Sequence, residues 1–194
     1  MIDFEYYRRI VPGLRWDKKL QIKEDMNLCY NCIAHTVNVN QFNIWPNKTI
    51  TSFYLNERGT YVFWPKELPT DKSLSTFFKF YQIFGYTEKT DENLDKSVRK
   101  IAIFCEEDTD NVTHAAVMRG DDLWSSKLGY GPLIFHQLHS LEGEEYGEVK
   151  CIIQRPITIK RENDWNILNR YIKTAQTQIY ESLDSDINKN TYLD

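Results

Sequence analysis

The sequence predicts an α+β domain, because helical and strand-like patterns occupy different stretches of the chain. Apolar residues from Leu74 to Phe84 recur every three or four positions, the spacing of one helix face, and a similar stripe runs from Asn163 to Leu183. Between them, short apolar runs alternate with turn residues, a pattern typical of antiparallel strands. We therefore expect helices that flank a sheet of consecutive antiparallel strands.

Two helices are expected before the sheet. Asn31 is a good N-cap residue for a short helix in which the apolar positions within Ile33–Val37 have helical spacing. Thr70 or Asp71 can cap the second helix, and Gly85 ends it. The cysteine of the first helix, Cys32, thus lies in its first turn.

Three segments predict irregular structure. The first thirty residues include a turn at Pro12-Gly13, Phe42–Pro69 reads as a long aromatic loop, and Thr87–Lys96 reads as an exposed polar connector. The expected strands lie at Lys100–Cys105, Val112–Arg119, Leu123–Lys127, Leu133–Leu138 and Glu148–Gln154. Tight turns such as Gly120-Asp121-Asp122 favour antiparallel pairing between successive strands.

Length and composition fit one domain over residues 1–194, with a core at about 30–156 and a C-terminal helix at about 163–183. The chain is 41% hydrophobic, which is ample for a packed interior. Its net charge is -4, with acidic and basic residues interspersed. Because a dedicated nucleic-acid binder usually presents a basic face, this balance argues against a nucleic-acid partner.

The sequence predicts a cytoplasmic protein with no membrane partner. The stretch Met1–Arg9 lacks the apolar core of a signal peptide, and the apolar runs are too short to cross a bilayer. Delivery by a route other than Sec stays open. The cysteines fit a reducing compartment as free thiols, since a chain with this core needs no disulfide framework. They are Cys29, Cys32, Cys105 and Cys151.

Cys32 and His114 are the candidate nucleophile and general base. A thiolate is favoured by the positive end of a helix and by a neighbouring imidazolium, and the first turn of a helix supplies the former. His114 begins a strand next to the small residues Ala115 and Ala116, which leave room for a helix or a substrate. A third polar group would orient the imidazole. His136 is the first candidate, and His139 and Gln137 are alternatives.

No metal or cofactor is expected. Structural zinc usually takes two close cysteine pairs, or one pair with two spaced histidines, whereas Cys29-x-x-Cys32 has no second close pair. A mixed site with His136 and His139 is the lesser alternative. The same Cys-x-x-Cys spacing occurs in thioredoxin-like redox motifs, but no βαβ pattern surrounds it here.

The segment Tyr30–His35 resembles the "YNCxAWA" motif of a little-characterised bacterial group that is similar to the NlpC-type papain-like cysteine hydrolases. His35 departs from this motif, which has an aromatic residue there, and Val117 and Met118 stand where the group often has a basic residue. The resemblance covers about Tyr30 to Pro156, and further motifs match in order. These are Trp64-Pro65, Gly85-Tyr86, Thr113–Ala116, Trp124–Gly129, His136, Leu141–Gly143, Tyr146-Gly147 and Arg155-Pro156.

This resemblance implies a papain-like, NlpC-type fold in which a cysteine-bearing helix packs on an antiparallel sheet, with an added C-terminal helix. It implies Cys32 as nucleophile, His114 as base and His136 as the orienting residue. Residues expected to contact substrate are Asn31, His35, Trp124, Ser126 and Lys127.

Two functions are compatible with these residues. The favoured one is a thiol hydrolase or acyltransferase that acts on an amide bond of a peptide or other amide-containing substrate. The alternative is a non-catalytic papain-like protein that serves as a partner-binding, regulatory or immunity-like module. In that case the acidic loops Glu106–Asp110 and Glu142–Glu145 are candidate contacts with a protein partner.

Overall fold

A computed structural model of the chain describes residues 4–47, 53–160 and 164–174. It has an α+β architecture with a mostly antiparallel sheet, as the sequence predicted. None of the helices within the described residues is both long and apolar enough to cross a membrane.

The helices begin with Phe4–Ile10 (α1) and continue with Cys32–Thr36 (α2), Leu74–Gln82 (α3) and residues 164–174 (α4), and 3₁₀ turns lie at Pro12–Arg15 and Leu138–Leu141. Asn31 caps α2 as predicted, because its side-chain oxygen accepts the N–H of Ala34. The predicted cap of α3 was wrong. Ser73 caps that helix, and the Asp71 carboxylate instead accepts hydrogen bonds from Ser73 and Thr76.

Seven strands form the main sheet in the order β1-β9-β8-β7-β6-β10-β5, with every neighbouring pair antiparallel. A small second sheet has the order β2-β4-β3. The strands are Gln21–Glu24 (β1), Asn43–Ile44 (β2), Phe53–Leu55 (β3), Tyr61–Phe63 (β4), Glu88–Thr90 (β5), Val98–Cys105 (β6), Val112–Met118 (β7), Trp124–Lys127 (β8), Leu133–His136 (β9) and Glu148–Pro156 (β10). The five predicted strands correspond to β6 to β10.

The three segments predicted to be irregular contain further elements. The first thirty residues hold α1 and β1, Phe42–Pro69 holds the whole small sheet, and Thr87–Lys96 holds β5. Most of these elements are short, so they show little periodicity. Two of the strands among them are held by pairing with strands far along the chain: β1 with β9 and β5 with β10.

The main sheet separates two hydrophobic clusters. On β6, Ile101 and Ile103 belong to the first cluster, which also contains Cys32 and the buried face of α3. The intervening residues Ala102 and Phe104 belong to the second cluster. Since successive side chains of a strand point to opposite faces, the clusters cover opposite sides of the sheet.

Helix α4 is held by a buried ion pair at its first described residue. The Asp164 carboxylate binds the guanidinium of Arg155, which also donates to the carbonyl of Phe84. Leu168 is fully buried in the first cluster. The part of the predicted C-terminal helix after residue 174 lies outside the described residues.

Candidate functional site

Asn31 joins the beginning of α2 to the small sheet. Its amide nitrogen donates to the carbonyl of Ile44 at 2.9 Å, while its amide oxygen accepts the N–H groups of Ala34 and Ile44. The amide side chain therefore acts both as a hydrogen-bond donor and as a hydrogen-bond acceptor. It was predicted to contact substrate, but the structure gives it the role of positioning Cys32.

Cys32 lies in the first turn of α2, as predicted, and α2 packs against β7 and β8. The residue is only 4% exposed. Burial raises the pKa of the Cys32 thiol to about 11, although the N–H groups of Ala115, Ile33 and Cys32 itself and the charge of Lys127 act in the opposite direction. The beginning of the helix and a neighbouring imidazolium were expected to favour the thiolate, but at Cys32 the desolvation of the thiolate outweighs the helix-end effect.

His114 lies on the other face of the sheet from Cys32. It is paired in register with Phe104, and its ring contacts those of Phe104 and Tyr146, both members of the second cluster. The next residue, Ala115, belongs to the first cluster with Cys32. Within the described residues neither ring nitrogen of His114 has a hydrogen-bond partner. The predicted thiol–imidazole pair is therefore not formed.

A β-bulge explains this orientation. Phe104 pairs with His114, but the following residue of β6, Cys105, pairs with Val112, so Thr113 is an extra residue in β7. Val112 and His114 consequently face opposite sides although they are two positions apart. The Thr113 hydroxyl fixes the bulge: it lies within hydrogen-bond distance of the backbone carbonyls of Phe104 and Tyr146 and donates its one proton to the nearer, that of Tyr146.

Burial controls the protonation of His114. The ring is fully buried, and burial lowers its pKa to about 3, with further lowering by His136 and His35. At neutral pH the imidazole is uncharged. It therefore supplies no positive charge to a thiolate.

His136 forms a separate pair with Ser126 on the neighbouring strand. Its Nε2 lies 2.8 Å from the Ser126 hydroxyl, and its Nδ1 lies 2.7 Å from the carbonyl of Gln137. Burial lowers the pKa of His136 to about 4. Both ring nitrogens are used by these partners, so His136 does not orient His114 as predicted.

The alternative third residues also lie apart from His114. His139 is more than half exposed, between the carboxylates of Glu92 and Glu142. The side chain of Gln137 is exposed, and its backbone N–H donates to Asp17.

Lys127 supplies a buried positive charge that lowers the pKa of Cys32. Its ammonium donates three hydrogen bonds, to the carbonyls of Asn27, Gly129 and Gly131, and lies 5.0 Å from the centre of the Tyr30 ring. Burial lowers the pKa of Lys127 to about 8, while Cys32, Glu24 and Cys29 raise it. Lys127 was expected to contact substrate, but the residue is fully buried. A lysine on a short strand gives no sequence signal of such burial.

The remaining residues that were expected to contact substrate instead contact other residues of the chain. His35 is half-buried, and its Nε2 lies 2.8 Å from the Ser125 hydroxyl on β8. Trp124 is 2% exposed and packs in the second cluster. Ser126 is fully buried against His136. These contacts fix α2 and the strands to one another.

Cavities at the surface lie away from the two candidate catalytic residues. Four have volumes of about 220, 880, 680 and 570 Å³, and neither Cys32 nor His114 lines any of these four. Two of them meet at Glu106 and Thr113, beside the two acidic loops. Among the residues that the structure covers, no group of three or more His, Cys, Asp or Glu is placed to hold a metal ion.

The fold and site define an α+β domain with a buried cysteine at the beginning of a helix. A family model described as a domain of unknown function, DUF7689, matches residues 21–154, which is most of the chain. The protein therefore belongs to the DUF7689 family. No curated protein and no solved structure matches it.

Proposed function

We propose that this protein is a non-catalytic papain-like domain that acts by binding a protein partner, as a regulatory or immunity-like module. The observation that carries the proposal is the separation of Cys32 and His114 on opposite faces of the main sheet. A cysteine hydrolase needs a base within hydrogen-bond reach of its thiol. Here the sulfur is buried and protonated, and the imidazole is neutral.

The acidic loops support a partner-binding role. The cavity of about 570 Å³ between them is lined by carboxylate side chains, and it adjoins a second cavity at Glu106 and Thr113. Its acidic lining consists of Glu106, Glu107, Glu142, Glu144 and Glu148. Clefts lined by one sign of charge attract ligands of the other sign. The partner surface is therefore basic.

Alkylation of Cys32 tests the non-catalytic assignment. In a variant that keeps only this cysteine (C29S/C105S/C151S), iodoacetamide should react slowly at pH 6 and at pH 8, because a buried thiol with a raised pKa offers little thiolate. Unfolding the variant in urea should restore the rate of an ordinary thiol. Fast alkylation of the folded variant at pH 6 would contradict the proposal.

Binding of an octalysine peptide tests the acidic surface. Fluorescence anisotropy should detect binding that weakens as salt is added, and the triple variant E142Q/E144Q/E148Q should lose most of it. An octaglutamate peptide of the same length is the control and should not bind. Equal binding by the variant and the unmodified protein would exclude these loops as the contact.

The hydrolase or acyltransferase function remains a second candidate because of the groups around the Cys32 sulfur. Three backbone N–H groups and Lys127 all favour the thiolate there. Donors at the beginning of a helix are also the usual stabilisers of an oxyanion. If the protein is a hydrolase or acyltransferase, Cys32 should be alkylated almost as fast at pH 6 as at pH 8. The variant Cys32→Ser should then no longer cleave an amide substrate.

A further inference from the structure

The cavity of about 220 Å³ lies at the end of the main sheet where β6 begins and where β7 and β10 end. Its walls come from the loop before β6, the first residues of β6, the end of β7 and the segment after β10. Strand β6 pairs with both β7 and β10, and the N–H of Ile157 after β10 donates to the carbonyl of Ser97 before β6 at 2.9 Å. The walls are therefore held together by backbone hydrogen bonds.

One part of the lining is apolar. Met118 is only 7% exposed, whereas Leu94 and Ile157 are 37% and 59% exposed, so apolar side chains continue from the interior to the surface. A hydrocarbon chain in the cavity would remove the exposed members from water, which is favourable. The apolar lining residues are Leu94, Val98, Met118, Ile157 and Ile159.

The other part of the lining is mainly cationic. Its charged members are Lys96, Arg99, Arg119 and one carboxylate, that of Asp95. The Asp95 carboxylate accepts the N–H and the hydroxyl of Ser97 at 2.8 and 2.6 Å, so it is held by its own loop. The guanidinium of Arg119 forms an ion pair with Asp121. Lys96 and Arg99 are therefore the cations that can attract an anion into the cavity.

Arg99 brings its charge into the protein interior, where it is 6% exposed. Its Nη2 donates to the carbonyl of Thr36 at 2.8 Å, and its Nη1 lies 3.7 Å from the Asp164 carboxylate. The oxygens of that carboxylate are closer to Arg155, at 2.6 and 2.8 Å. One carboxylate thus serves two guanidinium groups. Because charges interact more strongly in the interior than in water, an anion beside Arg99 is stabilised.

We propose that this cavity binds a small monocarboxylate with a short alkyl chain. The carboxylate lies beside Arg99 and Lys96, and the chain lies along the apolar lining. The ligand is small because drug-sized ligands occupy pockets of about 300–1,000 Å³. A second charged group on the chain would face apolar side chains, and its desolvation would oppose binding. The cavity shares no lining residue with the two acidic cavities, so this site does not depend on the proposed partner-binding function.

Titration of hexanoate into the folded protein tests the proposal. The chain has three methionines, so labelling with methyl-¹³C methionine gives few signals, and Met118→Leu identifies the one from Met118. That signal should shift and saturate as hexanoate is added, and added salt should weaken the binding. The signal of Met26, which lines neither this cavity nor the other three described, should stay in place. A Met118 signal that does not move, or that never saturates, would overturn the proposal.

Three further probes separate the charge from the chain. Acetate has the carboxylate without the chain, 1-hexanol has the chain without the charge, and hexylammonium has the chain with the opposite charge. Each should bind at least about tenfold more weakly than hexanoate, because the site is expected to recognise both parts. Equal affinity for hexanol or hexylammonium would show that the positive lining plays no role and would overturn the proposal.

Two variants at exposed positions test the lining itself. Lys96→Glu should weaken the binding of hexanoate by about fivefold or more, because an attraction becomes a repulsion. Ile157→Asp should weaken it further, because a carboxylate replaces part of the apolar lining. Lys79→Glu is the matched control: it makes the same charge change on α3, at a residue that lines none of the four cavities, and should leave the affinity unchanged. Equal weakening by the two lysine variants would contradict the proposed site. Circular dichroism of each variant confirms that the fold is retained.

Discussion

Arg155 and Asp164 form a two-point ion pair in the protein interior, with Nη1–Oδ1 at 2.6 Å and Nη2–Oδ2 at 2.8 Å. Both side chains are almost fully buried. The pair connects the end of β10 to the beginning of α4. Arg99 adds a second positive charge, 3.7 Å from the same carboxylate.

Asp164→Ala should strongly destabilise the fold. Removal of the carboxylate leaves the Arg155 guanidinium buried without its counter-charge, which costs about 3–5 kcal/mol. Urea denaturation measures the change in the free energy of unfolding. Glu5→Ala is the matched control, because its pair with Arg8 is exposed and should contribute less than about 1 kcal/mol. Equal losses in the two variants would contradict this interpretation.

Gly147→Ala should destabilise the protein far more than Gly143→Ala. Both glycines have positive φ angles, 75° and 143°, and they bridge each other in the loop that carries Tyr146. A Cβ at Gly147 would overlap the carbonyl oxygen of Cys105, whereas a Cβ at Gly143 meets nothing within 4 Å. Thermal unfolding of the two variants measures the difference. A smaller loss of Tm at position 147 than at position 143 would be inconsistent with this packing.

His114 should make the fold sensitive to acid. Its folded pKa is about 3 against an ordinary value of 6.5, so below pH 6.5 the unfolded chain binds a proton that the folded chain does not. Stability is therefore lost as the pH falls, by up to about 1.4 kcal/mol per pH unit from this residue. His114→Leu should reduce that slope between pH 6 and pH 4 in urea titrations. His139→Gln should leave the slope in that range nearly unchanged.

His139 should have the opposite pH dependence. Burial alone would lower its pKa, but the hydrogen bonds that the ring donates to the carboxylates of Glu142 and Glu92 outweigh burial and raise it. The charged ring therefore stabilises the fold below pH 6.5, and this contribution disappears as the pH rises through the raised pKa. Because the pair is exposed, His139→Gln should cost less than about 1 kcal/mol at pH 5.5 and nothing at pH 8.5. A chemical-shift titration that gives an unraised pKa would refute the assignment.

The sequence predicted the elements that depend on local signals. The N-cap at Asn31, the helix that ends before Gly85 and the five strands from β6 to β10 are confirmed. Each has a cap, a stop or a clear alternation of side chains. The strands β1 to β5 have two to four residues each, too few to show a clear alternation, and β1 and β5 also depend on partners far along the chain.

The candidate site was predicted only in part, because side-chain direction and burial are properties of the folded chain. The position of Cys32 in the first turn of α2 follows from its cap, but its raised pKa follows from burial by residues far along the sequence. The burial of Lys127 depends on three backbone carbonyls: Gly129 and Gly131 in the loop that follows it, and Asn27 a hundred residues earlier in the chain. The bulge at Thr113 has no distinctive residue pattern.

The bulge at Thr113 lets β7 hold one more residue than the stretch of β6 that it pairs with. An inserted residue ordinarily moves every following side chain to the opposite face of a strand, but a bulge absorbs it locally. Without Thr113, Val112 and the histidine would be successive residues paired with Cys105 and Phe104, so the histidine would still lie on the face opposite Cys32. The imidazole would reach the face of the thiol only if β7 kept all its residues and paired regularly from Val112 onward, which would move its pairing with β6 by one residue.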